Sequence, residues 1–335
     1  MGSSRYDDAI YTSRIDTAKS AGADLFVHDD AIRSGKTVAA VHKTLDPKLP
    51  NTVGKLIRES LDSDAAPNSR AIAVIFDETG SMQTVPRLFV LKLEKLMAAL
   101  VKKGFVPDPH VMFGAVGDAY SDKAPLQLGQ FEGGNEIDDT LTNIFLEANG
   151  GGGEPQESYE LALYYMARHT DCDCTKKRGQ KGFLFVLGDE RPYPQVNKKQ
   201  VKAFIGDTLE ADIPTSEIVA EVQKNWHLFW IMPGGTSHWN DDTVIGPNRK
   251  MFGQNFLLLE NPDDVCELVV STIGVTEGYD LHDVGAALKD VGADAGAVSR
   301  TGTALATYAK SAGLTKMATA SGPLVEAGTD DVSRL

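Results

Sequence analysis

The sequence predicts an α/β protein with a doubly wound, mostly parallel central sheet flanked by helices on both faces. Two apolar runs support this prediction, one ending at Asp77 and the other at Asp189. A run without polar interruptions is typical of a strand buried on both faces, as in parallel sheets covered by helices. Segments with apolar residues at helical spacing separate the runs, as expected for repeated strand–helix–strand units.

The predicted elements alternate along the chain from residue 70 onward. The first helix covers residues 86–103, where Leu88, Leu91 and Leu96 follow helical spacing and Pro86 stands near the first turn. Further helices are predicted over residues 136–147, 157–169, 198–205 and 215–224, with a last one announced by Asn261–Pro262. The other strands are predicted over residues 111–116, 126–131, 227–232 and 256–260.

The segments on either side of this core differ from it in composition. We expect residues 1–69 to form an N-terminal extension that packs on a domain of residues 70–277, with a hairpin around Ser34–Gly35 and a short helix over residues 51–61. Residues 278–335 are rich in Gly and Ala and poor in large apolar side chains. Such a segment buries little core by itself, so we expect a mobile or partner-bound tail.

Charge and composition limit the classes of partner. The 335 residues include 33 Lys and Arg against 47 Asp and Glu, a net charge of −14, which argues against nucleic acid or an anionic membrane as the main partner. The N-terminus lacks a basic region followed by an apolar one, and no apolar run approaches the length of a membrane-spanning helix. We therefore expect a cytoplasmic protein.

The three cysteines are too few for a disulfide framework. Two of them, Cys172 and Cys174, lie in a charged stretch before the strand that ends at Asp189. No second Cys/His pair stands at usable spacing, so a structural zinc site is not expected. The stretch is predicted to be a solvated loop, with redox chemistry as the alternative.

A polar turn directly follows the first buried strand. Asp77, Thr79 and Ser81 place one carboxylate and two hydroxyls at alternate positions, and Gly80 lets the backbone turn. Hard oxygen ligands favour magnesium, manganese or calcium over zinc. The same residues also suit a helix cap, in which Asp77 accepts hydrogen bonds from backbone amides. The turn by itself leaves a cap and a metal site open.

The strand that ends at Asp189 repeats this design. In a doubly wound sheet it would lie beside the first strand, where the strand order reverses. Asp77 and Asp189 would then face one crevice at the carboxyl ends of the strands. His238 and Trp239 follow the strand over residues 227–232 and are candidates for the rim of that crevice.

The motifs FDETGSM and VLGDE, separated by a glycine-rich turn and a helix, resemble the von Willebrand factor A domain with its metal ion-dependent adhesion site, in its intracellular bacterial or phage-type branch. In that family, an Asp-x-Ser-x-Ser turn, a Thr from a second loop and an Asp from a third loop hold one divalent ion. The resemblance covers about residues 70–277. It implies Mg²⁺, with Mn²⁺ or Ca²⁺ as alternatives, held by Asp77, Thr79, Ser81 and Asp189.

The second loop departs from the family pattern. Where the family offers a Thr, the chain reads NGGGGEPQES, so Glu154, Glu157 or Ser158 is expected to substitute. Consecutive glycines allow a backbone to pass close to a metal or to a partner's side chain. The rim that faces the partner is predicted to contain Gly80, Gly151, Gly152, Gly153 and Ser158.

The resemblance implies a protein-binding module in which the ion accepts an Asp or Glu side chain of a partner protein. With few charged ligands the ion stays electrophilic, which suits such docking. One alternative is a structural component of a larger bacterial or phage assembly, in which the ion rigidifies the loops. A metal-dependent hydrolase is a third hypothesis. We expect no enzyme, because two firm aspartates and one uncertain glutamate are too few for two-metal chemistry and no nucleophile–base pair is evident.

Overall fold

The computed structural model describes residues 6–50, 54–82, 84–102, 104–147, 155–311 and 313. Over these residues, none of the helices is long and apolar enough to cross a membrane. The helices are α1 Asp8–Ala21, α2 Val27–Arg33, α3 Val85–Lys102, α4 Glu136–Thr142, α5 Tyr159–Arg168, α6 Asp173–Arg178, α7 Lys198–Gln200, α8 Thr215–Asn225, α9 Asp242–Phe252, α10 Val265–Thr276, α11 Leu281–Asp290 and α12 Ala295–Ser311. The strands are β1 Arg58–Ser60, β2 Ser69–Asp77, β3 Asp108–Val116, β4 Leu126–Leu128, β5 Gln156–Glu157, β6 Thr170–Cys172, β7 Gly182–Leu187, β8 Arg191–Pro192, β9 Gln195–Val196, β10 Ile213–Pro214, β11 Trp226–Pro233 and β12 Phe256–Leu259.

Within the described part of the chain, six strands form the central sheet in the order β12–β11–β7–β2–β3–β4. All neighbours in this sheet are parallel except β3 and β4, which pair antiparallel at one edge. In chain order, β3 and then β4 are added on one side of β2. The later strands β7, β11 and β12 are added one after another on the other side of β2. The prediction of a doubly wound, mostly parallel sheet is confirmed, with its switch point between β2 and β7.

Strand β2 explains why the sequence reads as one apolar run, since every one of its residues is buried. Ile72, Val74 and Phe76 pack in one core cluster, which includes residues of α3 and α10. Ala73 and Ile75 pack in a second cluster with residues of α5 and α8. Because successive side chains of a strand point to opposite faces, both faces of the sheet are covered by helices. Each large side chain buried in this way contributes about 1.5–3 kcal/mol.

The N-terminal segment differs from its sequence prediction in two places. Residues 27–33 form α2 instead of the first arm of a hairpin, and Gly35 turns the chain in the left-handed region with a φ of 82°. The helix is favoured because Asp29 and Arg33, four residues apart, pair at 2.6 Å. The predicted helix over residues 51–61 is replaced at its end by β1, which pairs with β6; residues 51–53 lie outside the described residues.

The C-terminal segment also differs from its prediction, because α11 and α12 are packed helices between residues 281 and 311. Ala297, Thr301, Leu305 and Ala309 are buried and recur every four residues, so they form one continuous packing face on α12. The ring of Tyr308 packs edge-on against Phe229, with centroids 5.0 Å apart. The predicted tail beyond residue 313 lies outside the described residues.

Candidate metal centre

Two aspartates lie side by side at the switch point of the sheet. Asp77 is the last residue of β2, and Asp189 follows β7, the strand next to it. Both carboxylates are fully buried. A short 3₁₀ turn, Gly80–Met82, follows Asp77 and brings Ser81 over the ends of the two strands. The sheet topology therefore places both loops at one edge, as the sequence predicted.

The four residues from the first and third loops form a connected set of oxygen atoms. Asp77 Oδ1 accepts hydrogen bonds from the backbone N–H of Thr79 at 2.7 Å and from its hydroxyl at 2.6 Å. The Thr79 and Ser81 hydroxyl oxygens are 3.1 Å apart, and Ser81 donates to Asp189 Oδ1 at 2.8 Å. Asp77 thus satisfies a backbone amide, as a cap would, while the hydroxyls link it to the neighbouring strand.

Sequence reasoning missed Tyr159, which lies beneath Asp77. Its hydroxyl donates to Asp77 Oδ2 at 2.7 Å, and its ring packs edge-on against Trp230 with centroids 4.6 Å apart. Gly188 permits this approach, because a Cβ atom at that position would lie 2.1 Å from the Tyr159 hydroxyl oxygen. No spacing rule relates Tyr159 to the motif, since the contact depends on where α5 crosses the sheet.

The loop after β11 closes another side of the centre. The backbone N–H of His238 donates to Asp189 Oδ2 at 3.2 Å. The imidazole lies between two carboxylates, with Nε2 3.6 Å from Glu190 and Nδ1 3.3 Å from Asp241. The loop that the sequence indicated as a candidate for the rim of the crevice thus contacts Asp189 directly.

The second loop contributes a buried carboxylate without a hydrogen-bond partner. Glu157 is 1% exposed, and neither of its carboxylate oxygens has a hydrogen bond within the described structure. Burial, with the nearby charges of Asp77 and Glu190 adding to it, raises the pKa of Glu157. The Ser158 hydroxyl, in contrast, accepts a hydrogen bond from Ala119 N at 2.9 Å. The predicted residues Gly151, Gly152, Gly153 and Glu154 lie outside the described residues.

Negative charge accumulates at the centre, where the basic group that the described residues place beside it is the His238 imidazole, 3.6 Å from Glu190. Burial and the adjacent Asp189 raise the pKa of Asp77 to about 7. Burial, together with Asp77 and Asp189, raises the pKa of Glu190 to about 8. Among the described residues, no Lys or Arg lies within 4.0 Å of the carboxylates of Asp77, Glu157 or Asp189. Buried carboxylates without a counter-charge are costly, and a divalent cation among these hard oxygens would offset that cost.

The carboxylates at the centre do not form a tight cluster among the described residues, so an ion there would also need the hydroxyl oxygens of Thr79 and Ser81 as ligands. Over the described residues, the group of three acidic or His side chains with ligand atoms within 4.8 Å of one another is Asp280, His282 and Asp283. That group lies at the exposed start of α11, where Asp280 already caps the helix by accepting from Asp283 N at 2.8 Å. We assign no site to it.

No protein-family model matches the chain, and no curated protein matches it significantly. Solved structures with a related arrangement include two forms of the pilus adhesin SpaC from Lactobacillus rhamnosus GG, one of them in an open conformation. Both are 10% identical, with a TM-score of 0.41, and the matches cover 70% and 69% of this chain but 32% and 31% of the adhesin. A von Willebrand factor type A protein from Catenulispora acidiphila is 14% identical, with a TM-score of 0.34, over 63% of this chain and 43% of that protein. The chain therefore spans less than half the length of these proteins, and similarity this low carries no inference about function.

Proposed function

We propose that this chain is a divalent-metal-dependent protein-binding module. In this proposal, Mg²⁺ lies among Asp77, Thr79, Ser81 and Asp189 and accepts an Asp or Glu side chain of a partner protein. The observation that carries the proposal is the hydrogen bond from Ser81 to Asp189, which joins the Asp-x-Thr-x-Ser turn to the carboxylate of the neighbouring strand. Mn²⁺ and Ca²⁺ are alternatives with the same preference for oxygen ligands.

The hydrogen bonds indicate which of these residues would orient the turn and which would contact the ion. Asp77 already accepts two hydrogen bonds from Thr79 and one from Tyr159, so its main role would be to orient the turn. The Ser81 hydroxyl and the Asp189 carboxylate would then face the ion. When bound, the ion would supply a coordination position for a carboxylate from outside the chain.

Glu157 is the best-supported second-loop ligand among the described residues. Within the described residues, its two oxygens are buried and lack a hydrogen-bond partner, whereas the Ser158 hydroxyl accepts a hydrogen bond from Ala119 N. A buried carboxylate that lacks a donor gains more from a cation than an already satisfied hydroxyl does. We therefore assign to Glu157 the position that a Thr takes in the family this chain resembles.

The surface around the centre is suited to a protein partner. Tyr120 is 64% exposed, and its ring packs edge-on against Tyr193, with centroids 4.9 Å apart. Tyr193 donates to Asp118 at 3.1 Å, and the backbone of Ala119 contacts Ser158, so this aromatic pair adjoins the second loop. Exposed tyrosines are enriched at protein interfaces, and the net charge of −14 disfavours a phosphate backbone.

A structural role for the ion is the second candidate. It is favoured by the burial of Asp77, Glu157 and Asp189, because an ion held among buried carboxylates would rigidify three loops even without a partner. Such a chain would serve as a component of a larger assembly. We propose no catalytic activity, since hydrolysis with two metals requires more carboxylate ligands than these loops supply.

Calorimetric titration of Mg²⁺ and Mn²⁺ into the chelator-treated full chain tests the metal site. Saturable binding is expected for the native chain and for Asp16→Ala, which removes an exposed carboxylate on α1, but not for Asp77→Ala. If the native chain binds neither ion, nor Ca²⁺ in a parallel titration, the proposed site is wrong.

An array of Asp- and Glu-containing peptides, each paired with its Asn or Gln version, separates the two candidates. Binding that requires both Mg²⁺ and the acidic side chain supports the module. Metal binding without any acidic-peptide binding favours the structural role.

A further inference from the structure

Tyr120 and Tyr193 form an aromatic pair beside the candidate metal centre. Tyr120 lies in the loop between β3 and β4 and is 64% exposed, and Tyr193 lies between β8 and β9 and is half-buried. The planes of the two rings meet at 61°. Ala119, next to Tyr120, donates its backbone N–H to Ser158, the neighbour of Glu157. Two separate loops thus form one aromatic surface next to the second loop of the centre.

One buried carboxylate holds this pair in place. Asp118 Oδ1 accepts hydrogen bonds from the backbone N–H of Tyr120 at 3.0 Å and from the hydroxyl of Tyr193 at 3.1 Å. Its other oxygen accepts from the Ser121 hydroxyl at 3.2 Å, and Asp118 has no exposed surface. The backbone of Tyr120 and the ring of Tyr193 are therefore fixed before a ligand arrives, so a ligand would pay little for ordering them.

The same carboxylate makes the aromatic surface attractive to a cation. Its three donors are neutral, and among the described residues no ion pair within 4.0 Å joins Asp118 to a Lys or Arg. Burial, with the charge of Asp118 adding to it, raises the pKa of Tyr193, so the phenol keeps its proton and donates it to the carboxylate. The face of an aromatic ring attracts cations, and an uncompensated negative charge beside the ring strengthens that attraction.

The chain does not fill this surface with a cation of its own. Over the part of the chain that the structure describes, five Arg side chains lie above aromatic rings, and none of those rings is Tyr120 or Tyr193. Tyr279, 37% exposed, offers a comparison elsewhere on the surface, because its hydroxyl donates to the Gly104 carbonyl and not to a carboxylate.

We propose that Tyr120 and Tyr193 bind a Lys or Arg side chain of the partner protein whose Asp or Glu side chain reaches the metal ion. The inference rests on the proposed function for the identity of the partner, whereas the attraction of the tyrosine pair for a cation does not need the metal. A basic side chain offsets the charge of Asp118. An apolar side chain would remove water from this surface without offsetting that charge, so it fits less well.

Tetramethylammonium chloride, titrated into the full chain with isotope-labelled tyrosine rings, tests the cation site without a partner or a metal. The ring resonances of Tyr120 and Tyr193 are assigned in NMR spectra with Tyr120→Phe and Tyr193→Phe. We expect both to shift progressively, more than with tert-butanol, a neutral molecule of similar size, while the Tyr279 resonance stays in place. No shift of the pair, equal shifts with tert-butanol, or an equal shift of Tyr279 would overturn the proposal.

Peptides that contain a single Asp test the link to the partner. In Mg²⁺, versions with Lys at successive distances from the Asp are compared with versions in which uncharged norleucine or Pro replaces the Lys. We expect the best Lys version to bind about two- to fivefold more tightly than its norleucine version, as for an exposed cation–π contact. Tyr120→Ala should abolish this difference, and Tyr120→Phe should keep it.

The outcomes separate this inference from the proposed function. Norleucine or Pro versions that bind as tightly as the Lys version contradict a site for a basic side chain, as does an undiminished preference for Lys in Tyr120→Ala. If none of the peptides binds, metal-dependent binding of an acidic partner fails, and the tetramethylammonium titration still decides whether the tyrosine pair binds a cation.

Discussion

Ser81 donates a 2.8 Å hydrogen bond to Asp189, 108 residues further along the chain. The two residues follow neighbouring parallel strands on either side of the switch point, so the bond joins the first and third loops of the candidate centre. Loss of this bond would remove a direct side-chain link between the loops that the proposed ion would bridge.

Ser81→Ala should weaken Mg²⁺ binding about tenfold, because it removes one oxygen ligand and the bond to Asp189. Ser81→Thr keeps the hydroxyl and should bind within about threefold of the native chain. Calorimetric titration measures both affinities. Equal weakening by the two substitutions would mean that packing, not the hydroxyl, determines affinity.

Glu157→Gln should have opposite effects with and without the ion. In chelator, the variant should be more stable by roughly 1–3 kcal/mol, because a buried carboxylate without a partner is replaced by a neutral amide. In Mg²⁺, it should bind the ion at least about tenfold more weakly, since a charged ligand is lost. Urea unfolding and titration measure the two effects, with exposed Glu217→Gln as the control. Native Mg²⁺ affinity in Glu157→Gln would exclude this residue as a ligand.

Gly188→Ala should destabilise the fold by about 1–3 kcal/mol, as expected for overpacking. The new Cβ atom would lie 2.1 Å from the Tyr159 hydroxyl oxygen, and that side chain is buried and hydrogen-bonded to Asp77. Gly302→Ala, in α12 with open space at its Cβ position, should instead stabilise by about 0.5–1 kcal/mol. Denaturant unfolding compares the two; a neutral Gly188→Ala would show that Tyr159 can move at no cost.

The stability of the metal-free chain should fall as the pH rises from about 5 to about 8. The pKa values of Asp77 and Glu190 are raised by burial to about 7 and about 8, so in this range the folded state binds more protons than the unfolded state. Under that condition the free energy of unfolding decreases with pH. Burial lowers the pKa of His227 to about 4, which acts in the opposite direction.

Urea unfolding across this pH range in chelator, and again in excess Mg²⁺, measures the effect. Asp77→Asn should reduce the slope in chelator, because the substituted group no longer titrates while His227 is unchanged. Saturating Mg²⁺ should flatten the slope of the native chain, since the ion replaces the protons. An identical slope in native chain and variant would contradict the assignment to Asp77.

Leu305→Ala should destabilise the chain by about 2–5 kcal/mol, because it leaves a cavity between α12 and the core. The exposed Thr307→Ala, on the same helix, should change stability by no more than about 0.5 kcal/mol. Thermal or urea unfolding measures both. Equal, small effects would indicate that α12 packs less tightly than its buried face implies.

The parts of the fold that sequence reasoning recovered depend on local information. The run before Asp77 is apolar throughout because each of its residues is buried by one of the two helical layers, whatever the identity of those helices. The contacts from Asp77 to Thr79, and from Thr79 to Ser81, span two residues each, so spacing alone predicts them.

The parts that sequence reasoning missed depend on surfaces brought together from afar. Tyr159 reaches Asp77 because α5 crosses the sheet above Gly188, and nothing in the spacing encodes that crossing. The small residues of α12 read as a tail because they bury little area by themselves; they become core when α10 and β12 provide the opposing surface. Cys172 and Cys174 lie in a stretch predicted to be a solvated loop because their neighbours are charged, yet both are buried in the core cluster that includes residues of α5 and α8.

The sequence by itself determined the central parallel strands, the switch point that places Asp77 beside Asp189, and the hydroxyls of the first loop. Only the tertiary structure decided which of the described second-loop residues keeps unpaired oxygens, which ring supports Asp77 and whether Cys172 and Cys174 are buried. The physical reason is that periodicity and turn chemistry act over a few residues. Burial, counter-charge and hydrogen-bond satisfaction, in contrast, depend on the packing of distant segments.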